Sequence, residues 1–533
     1  MKTLIRLAVF AYVVISSVFL VAYAGYVAWV SSANLAQFLL ACVFFLLSMA
    51  IALLNIFSGY FYAFSLFSKP GAKPAALPKK LPLVAIAVPT CNEDSAMVSK
   101  TLAALKAIQY PKSKLELWVL DNSSEPEKQM QIKAAAKKHG FRYVYHERTK
   151  GFKSGSLNNL LKLTRAEYLA VFDSDEELVN PKFLLDNIGF FCKDEKLGFV
   201  QTIKAARPAG FFADSIECNY AFFYKHMQPV RDSAGIAMYS GSLGIIRLSC
   251  LRKVGGFQVS PPTPCEDTEF SFFADLAGYK GKFISKLYAY GAPVENFSTF
   301  LTQQWKYAYG IARMTKLYFA NFGKVSNSKK HFLYTAHFVG FPYTSLLTIV
   351  FAALSAALVL SNLSFTLVSF SELVAVMYSP LEPLKSAPVL SGISSAMDLV
   401  GQYYKPGLPL YDLSPVIANV FNILILARFY YGSFSKGIMS VLLNVSLTFK
   451  RSEAALAASM HDLSEIVVTP KTKKLGIGLA SAFELASTEA AYSLLFFGLT
   501  AFSLLRGDAL GAFWLIWYGV IFGLALVFAL LYK

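Results

Sequence analysis

The chain has 533 residues, 55% hydrophobic and 16% charged, with a mean hydropathy of +0.46. A soluble domain carries about 25% charge, so part of this chain has lipid as its solvent. The net charge of +17 points to anionic headgroups and diphosphates as partners; a nucleic-acid partner is not expected, because the basic residues hug apolar boundaries and no recognition motif is present.

Residues 7–68 carry no charge. A helix needs about 20 apolar residues to cross the hydrocarbon, so this run holds two spans, broken near Ser31, Ser32, Ala33 and Asn34. Lys2 and Arg6 precede it, but it is too long for a cleaved signal peptide, lacks a clear small-residue cleavage site and leads at once into a second span. It is read as a retained anchor. Residues 69–74, with Pro78 and Pro82, read as a linker into a domain of ordinary soluble composition, 69–295. Uncharged runs return at 332–371, 413–427, 490–505 and 509–532, which makes about six spans in all. Lys2, Arg6, Lys69, Lys73, Lys79, Lys80, Lys329, Lys330, Lys450, Arg451, Lys471, Lys473 and Lys474 all fall on one side of that arrangement. That side is expected to be cytosolic, with both termini and the soluble domain, in a multi-pass protein of the cell membrane. Residues 362–412 would face out, and Glu484 and Glu489, at the start of the fifth span, read as interfacial. The six cysteines include no Cys-x-x-Cys pair and five lie in the cytosolic domain, which argues against a zinc site or a disulfide framework.

Within the domain, strands are predicted at Leu83–Val88, Leu115–Leu120, Tyr143–His146 and Tyr168–Phe172, and helices at Ser95–Ile108, Glu127–His139 and Ser154–Leu163. Strands alternating with helices imply a parallel, doubly wound sheet, in which ligands bind beyond the carboxyl ends of the strands. The first strand leads into Asn92-Glu93-Asp94, the second into Asp121, the fourth into Asp173-Ser174-Asp175. Two carboxylates one residue apart can hold a hard divalent cation together with phosphate oxygens; the plainer reading is a turn with a helix cap. Asp121 can meet a nucleobase or ribose, or form an Asx turn. Lys153, at a helix start, suits a diphosphate, or is a solvated surface lysine. Glu266 and Asp267 follow a Pro-rich loop, 260–264, and precede an aromatic helix, Phe270–Leu276. There they cap the helix or supply a general base. Residues 296–319 read as an amphipathic interfacial helix, and 437–451 as another.

In this order and spacing the motifs resemble those of the family-2 glycosyltransferases, in particular the membrane-integral branch that includes cellulose, chitin and hyaluronan synthases. Residues 84–93 match that family's first strand and Pro-x-x-Asn-Glu entry, with Thr90 and Glu93; Tyr110-Pro111, Asp121, Lys153 with Gly155 and Asn158, and Asp173-Ser-Asp175 follow. Ser240-Gly241-Ser242, Arg247 and Gly255-Gly256-Phe257 are similar to the stretch lining the acceptor side. Cys265-Glu266-Asp267 stands for Thr-Glu-Asp, and Gln303-Gln304-Trp305-Lys306-Tyr307 for Gln-x-x-Arg-Trp, with Ala308 and Gly310 in register. Residues 466–471, with Val468, Thr469 and Lys471, resemble a gating loop over the nucleotide.

The resemblance implies an α/β GT-A domain with a Rossmann-like mixed sheet, inserted between transmembrane helices. The domains it implies are 1–68 (two helices), 69–295 (glycosyltransferase), 296–330 (the interfacial helix with the Gln-x-x-Lys-Tyr motif) and 331–533 (about four spans, with the gating-like loop at 452–475). It implies a nucleotide-sugar donor held by Thr90, Glu93, Asp121, Lys153 and Asp173, with Mg²⁺ or Mn²⁺ on Asp175 and Asp173. The acceptor, a membrane lipid or growing glycan, would meet Gly241, Ser242, Glu266, Gln303, Gln304, Lys306 and Tyr307, and Asp267 would be the base of an inverting displacement. The chain also departs from the family. Lys306 stands for Arg, keeping the charge without the bidentate fork; Tyr307 stands for Trp, Cys91 for a frequent Tyr, Asn122 for a second Asp and Ile466 for Phe. Three readings stay open: a synthase using a UDP-sugar that extends and translocates a polysaccharide, a non-processive enzyme glycosylating a polyprenyl phosphate or diacylglycerol, and a transporter or scaffold with a degenerate domain. The intact Asp173, Asp175 and Asp267 argue against the last.

Overall fold

The computed structural model describes residues 2–30, 35–68, 74–147, 151–258, 261–360, 424, 426–463, 479–507 and 509–532. The chain divides into two compact units, one of Met1–Ala63, Thr344–Phe449 and Phe483–Val527, the other of Phe64–Tyr343, Lys450–Ala482 and Phe528–Lys533.

The second unit is built on an eight-stranded sheet: β1 (Val84–Thr90), β2 (Leu115–Asp121), β3 (Arg142–Tyr145), β4 (Tyr168–Val171), β5 (Glu177–Leu178), β6 (Leu197–Ala206), β7 (Gly244–Arg247) and β8 (Lys280–Gly291), in the order β3-β2-β1-β4-β7-β6-β8-β5. Every residue of β1 is buried, as expected of a parallel strand covered on both faces. Its alternation divides the core. Val84, Ile86 and Val88 point to the layer holding Val98, Leu102, Ile132 and Phe183, whereas Ala85 and Ala87 point to the layer holding Leu157, Leu160 and Phe270.

The first four strands are parallel to one another, as the alternation with helices predicts. The expectation of a parallel sheet fails beyond them. β7 runs antiparallel to both β4 and β6, β5 is antiparallel to β8, and β6 and β8 are parallel. The sheet is therefore mixed, as the GT-A expectation requires. Adjacent parallel strands need a helical crossover; β7 is only four residues long and is preceded by the loop that carries Gly241, so nothing in the pattern announced its reversal.

Local signals fix the helix ends. Asp94 caps the Ser95–Leu105 helix by accepting from the Ala96 N–H at 3.0 Å. Gly140, at φ 76°, ends the Pro126–His139 helix. Asn296 caps the Phe297–Ala320 helix through the Thr299 N–H at 2.8 Å. Ala308, Tyr309 and Ala312 of that helix pack on Ala454, Ala455 and Ala458, so its apolar face is covered by protein. The single helix expected at 437–451 is instead two, Phe434–Ser446 and Thr448–Met460.

In the first unit, Ala24, Phe44, Ala352, Phe496, Leu515, Tyr518 and Phe522 form one apolar cluster, with Phe44 stacked on Phe351 at 4.9 Å. The Ser493 hydroxyl donates to the Gly519 carbonyl at 2.7 Å, and a Cβ at Gly523 would lie 3.0 Å from that hydroxyl. Small residues permit such close approach between apolar helices. Three described helices are long and apolar enough to cross a membrane, Phe38–Phe64, Ser328–Ala357 and Ser487–Leu505, and two shorter apolar ones are Thr3–Val18 and Leu515–Leu531. Glu489 is 4% exposed and Glu484 is on the surface. Residues 362–412 and most of the run at 413–427 lie outside the described residues.

Phe183 is fully buried between Phe172 and Tyr288, with ring centroids 5.1 and 5.3 Å away. Truncating it leaves a cavity under the sheet. We expect Phe183→Ala to cost about 3–5 kcal/mol, read as a lowered unfolding midpoint of the detergent-purified chain; an unchanged midpoint would contradict this packing.

Candidate active site

The carboxyl ends of β1 and β2 are pinned together. Thr90 sits opposite Asp121, and its hydroxyl donates to Asp121 Oδ1 at 3.1 Å. The same oxygen accepts from the Ser123 N–H at 2.9 Å and the Ser123 hydroxyl at 2.6 Å, while Tyr143 donates to Oδ2 at 2.7 Å. Asp121 is fully buried, and these bonds take up about the four acceptor sites of a carboxylate. The Asx turn that the sequence allowed is thus present. Burial, then the bond to Asp121, raises the Tyr143 hydroxyl above its usual range. Asn92, at φ 59°, crosses to Ser123 and Ser124, and Glu93 accepts from the Cys91 N–H. Asn122 donates to the His146 carbonyl at 2.7 Å and accepts from Ser156 at 2.6 Å, which ties this corner to the Phe152–Leu163 helix.

That helix opens on Gly151 and Phe152, both at positive φ, and presents Lys153 in its first turn. Lys153 Nζ donates to Asp173 Oδ1 at 2.8 Å and to the Gly241 carbonyl at 3.1 Å. Asn158, one helical turn on, donates to the Phe257 carbonyl and accepts from its N–H, both at 2.8 Å. Gly256 is required there, because at φ 87° a Cβ would lie 2.6 Å from Asn158 Oδ1.

Asp173 collects further groups on its second oxygen: Lys204 Nζ at 3.0 Å and the Ser242 hydroxyl at 2.8 Å. Lys204 also donates to the Ser240 carbonyl at 3.2 Å and stands 3.6 Å from Glu176. Glu176 accepts from the Asp173 N–H at 2.9 Å and from Ser242 at 2.5 Å. It is pushed up to about 7, by burial first and by the Asp173 and Asp175 charges, against Lys204. Asp175 accepts from the Ala292 N–H at 2.8 Å. Burial disfavours the Lys153 ammonium, but Asp173 and Glu266 outweigh it and its pKa is raised; that of Lys204 is raised further, Asp173 and Glu176 outweighing the same penalty.

Asp267 reaches this group across Gly241. A Cβ at Gly241, itself at φ 80°, would lie 3.1 Å from Asp267 Oδ2 and 3.6 Å from Lys153 Nζ. The Thr268 N–H donates to Asp267 Oδ1 at 2.6 Å. Burial and the neighbouring Glu266 push Asp267 up to about 7, against the Thr268 bond and the two lysines. Asp267 and Glu266 open the Glu266–Leu276 helix, which starts four residues before the expected Phe270.

Gln303 and Gln304 both bond to Tyr220, which donates to Gln303 Oε1 at 2.5 Å and accepts from Gln304 Nε2 at 3.0 Å. Arg451 donates to Gln304 Oε1. Tyr307 is 40% exposed and meets Tyr220 edge-on at 6.2 Å; Lys306 is half-buried. Arg313 joins Glu269 at 2.8 Å to Asp462 at 2.6 Å, linking the Asp267 helix to the end of the 450–463 stretch.

Lys153, Asp173, Gly241, Ser242 and Asp267 thus come together, with Glu266 beside them, and Asp175 adjoins them in sequence. Arg247 does not join them. It lies at the far end of β7 from Gly244, where it donates to the carbonyls of Phe191, Asp194 and Leu197 and stacks on Tyr168 and Phe191. Val468, Thr469 and Lys471 fall outside the described residues. Sequence reasoning missed Lys204, Glu176, Tyr220 and Arg451. The signal for Lys204 was the one charged residue of a largely buried strand, a residue type rarely buried unless paired. No group of three or more His, Cys, Asp or Glu among the described residues forms a metal cage. Asp173 and Asp175 nonetheless supply the hard oxygens that fit Mg²⁺ or Mn²⁺ when substrate phosphates complete the shell.

Residues 85–255 match the family model described as Glycosyl transferase family 2. The chain is similar to the cellulose synthase catalytic subunit [UDP-forming] of Pseudomonas fluorescens (strain SBW25), 30% identical over 44% of this chain and 32% of that protein. It is similar to that of Xanthomonas axonopodis pv. citri (strain 306), 28% identical over 46% of this chain and 34% of that protein. The chain therefore spans about a third of the length of these relatives. Among solved structures, the mannosyltransferase PcManGT from Pyrobaculum calidifontis in complex with GDP-Man and Mn²⁺ is 17% identical, with 72% of this chain and 99% of that one covered and a TM-score of 0.47.

The Asn158–Phe257 pair holds the Lys153 helix against the Gly-Gly-Phe loop. Asn158→Ala leaves two backbone groups without partners, and we expect a loss of about 1–3 kcal/mol, read as a lowered thermal midpoint; a neutral effect would mean that the pair does not hold the loop.

Proposed function

Since this chain carries a family-2 glycosyltransferase domain, we propose that it transfers a sugar, with inversion, from a nucleotide-sugar to a growing polysaccharide at the cytosolic face of a membrane. The observation that carries the reading is the meeting of Asp267 Oδ2 and Lys153 Nζ over Gly241, with Lys153 held 2.8 Å from Asp173. A base, a cation and the first acid of the Asp-x-Asp pair would thereby act side by side. UDP-sugars are the favoured donors, in keeping with the UDP-forming relatives.

In this mechanism Thr90, Glu93 and the turn held by Asp121 frame the nucleotide; because Asp121 is already bonded within the chain, a base that contacts it shares the carboxylate with Thr90, Ser123 and Tyr143. Lys153 lies against the diphosphate. Asp175 and Asp173 would hold Mg²⁺ or Mn²⁺, which when bound offsets the charge of the leaving nucleotide. Asp267 takes the proton of the acceptor hydroxyl as that oxygen attacks the anomeric carbon opposite the leaving group, so one displacement inverts the configuration. Gly241, Ser242, Glu266, Gln303, Gln304, Lys306 and Tyr307 line the acceptor end, where the exposed Tyr307 ring offers a face for a sugar. The apolar helices anchor the enzyme with its soluble domain and termini inside, and translocation of the product belongs to the same proposal.

Removing a general base typically costs about 10²–10⁴-fold. Asp267→Asn is expected to lose transfer by that order while binding nucleotide as before; full activity in the variant sinks the assignment. Radiolabelled donor incubated with membranes should give a polymer, and an organic-extractable product would instead identify a lipid acceptor. A base must be unprotonated to act, and Asp267 titrates near 7. We therefore expect kcat/KM to be level above that pH and to fall about tenfold per pH unit below it; a flat profile to pH 5 would remove Asp267 from the role.

A further inference from the structure

We propose that Lys204 is a second diphosphate-binding cation of the donor site, set beside Lys153 by their shared hold on Asp173. The inference rests on the donor-site reading above and adds to it a residue on β6, a strand that the sequence motifs do not mark.

Three observations carry it. The first is placement. The two ammoniums grip opposite oxygens of one carboxylate, Lys153 on Oδ1 at 2.8 Å and Lys204 on Oδ2 at 3.0 Å. Asp173 thus fixes them as neighbours, in a position to meet adjacent phosphoryl oxygens. The second is access. The side chains of Lys153, Lys204 and Asp173 are 29%, 27% and 25% exposed, whereas Glu176 beneath them is 3% exposed. Both lysines are thus open to a ligand, together with Asp173, while Glu176 is not. The third is donor capacity. An ammonium has three N–H donors. Lys153 uses two, on Asp173 and the Gly241 carbonyl. Lys204 uses two, on Asp173 and the Ser240 carbonyl, and its next acceptor, Glu176, lies at 3.6 Å, beyond hydrogen-bond length. Among the described residues each lysine therefore keeps one donor for a phosphate without giving up Asp173.

A lysine buried only to neutralise Asp173 and Glu176 predicts something different. Its removal would disturb the whole cluster and weaken every ligand alike. A phosphate-binding lysine acts where the additional phosphate sits, so the nucleoside diphosphate and monophosphate discriminate the two roles.

The experiment measures binding of UDP and UMP, and of GDP and GMP as the alternative pair, to the full chain in detergent micelles by titration calorimetry, with Mg²⁺ and with chelator. Lys204→Met is expected to weaken the diphosphate about tenfold and the monophosphate less than threefold, in both conditions, while Lys204→Arg keeps most of the diphosphate affinity. Equal losses for both nucleotides, or no loss for either, would overturn the inference, as would failure of Lys204→Arg, in a chain with the wild-type thermal midpoint, to retain the diphosphate. If the unaltered chain binds none of the four nucleotides, the donor reading of the whole site falls instead, which separates the two failures.

Discussion

The carboxylate of Asp173 organises the site. Its two oxygens accept from Lys153, Lys204 and Ser242, and these come from a helix start, strand β6 and the loop before β7. Those stretches are distant in the sequence and run in different directions. Its negative charge raises the pKa of both lysines where burial alone would lower them. The same lysines stand near Asp267, so one acid sets the field in which another works.

The sheet explains how such separate stretches meet. The parallel strands bring Thr90, Asp121 and Asp173 to one edge because parallel strands share their carboxyl ends. β7, entering antiparallel, delivers the opposite end of its own stretch: its amino end, and with it Ser240, Gly241 and Ser242, reaches that edge. Gly241 then serves as contact surface, since its missing side chain is the gap across which Asp267 and Lys153 approach each other.

Much of this was legible in the sequence, and the parts that were not share a cause. The four leading strands were visible because each is a short branched apolar run that ends in a polar residue, and the acids at those ends follow from that pattern. Asp173 and Asp267 were found as motif residues, while their neighbours Lys204, Glu176 and Tyr220 were not. Glu176 and Tyr220 carry no local signature and Lys204 only its place late in a strand; what each of them meets is set by the fold. Arg247 shows the converse. It sits inside a recognisable stretch, yet its guanidinium closes three carbonyls at the far side of the sheet, because β7 runs the other way. Tyr307 and Gln304 belong to a recognisable stretch, but their contacts with Tyr220 and Arg451 could not be read from it.

The reversal of β7 also bears on how the chain tolerates substitution. Along the fourteen positions from Ser240 to Lys253, the first three border Asp173 and its lysines and most of the rest pack into the core. Evolutionary drift is therefore expected to be uneven within one short segment: its leading part can diverge only when selectivity diverges with it, and its trailing part can vary wherever the carbonyls beneath Arg247 find another donor.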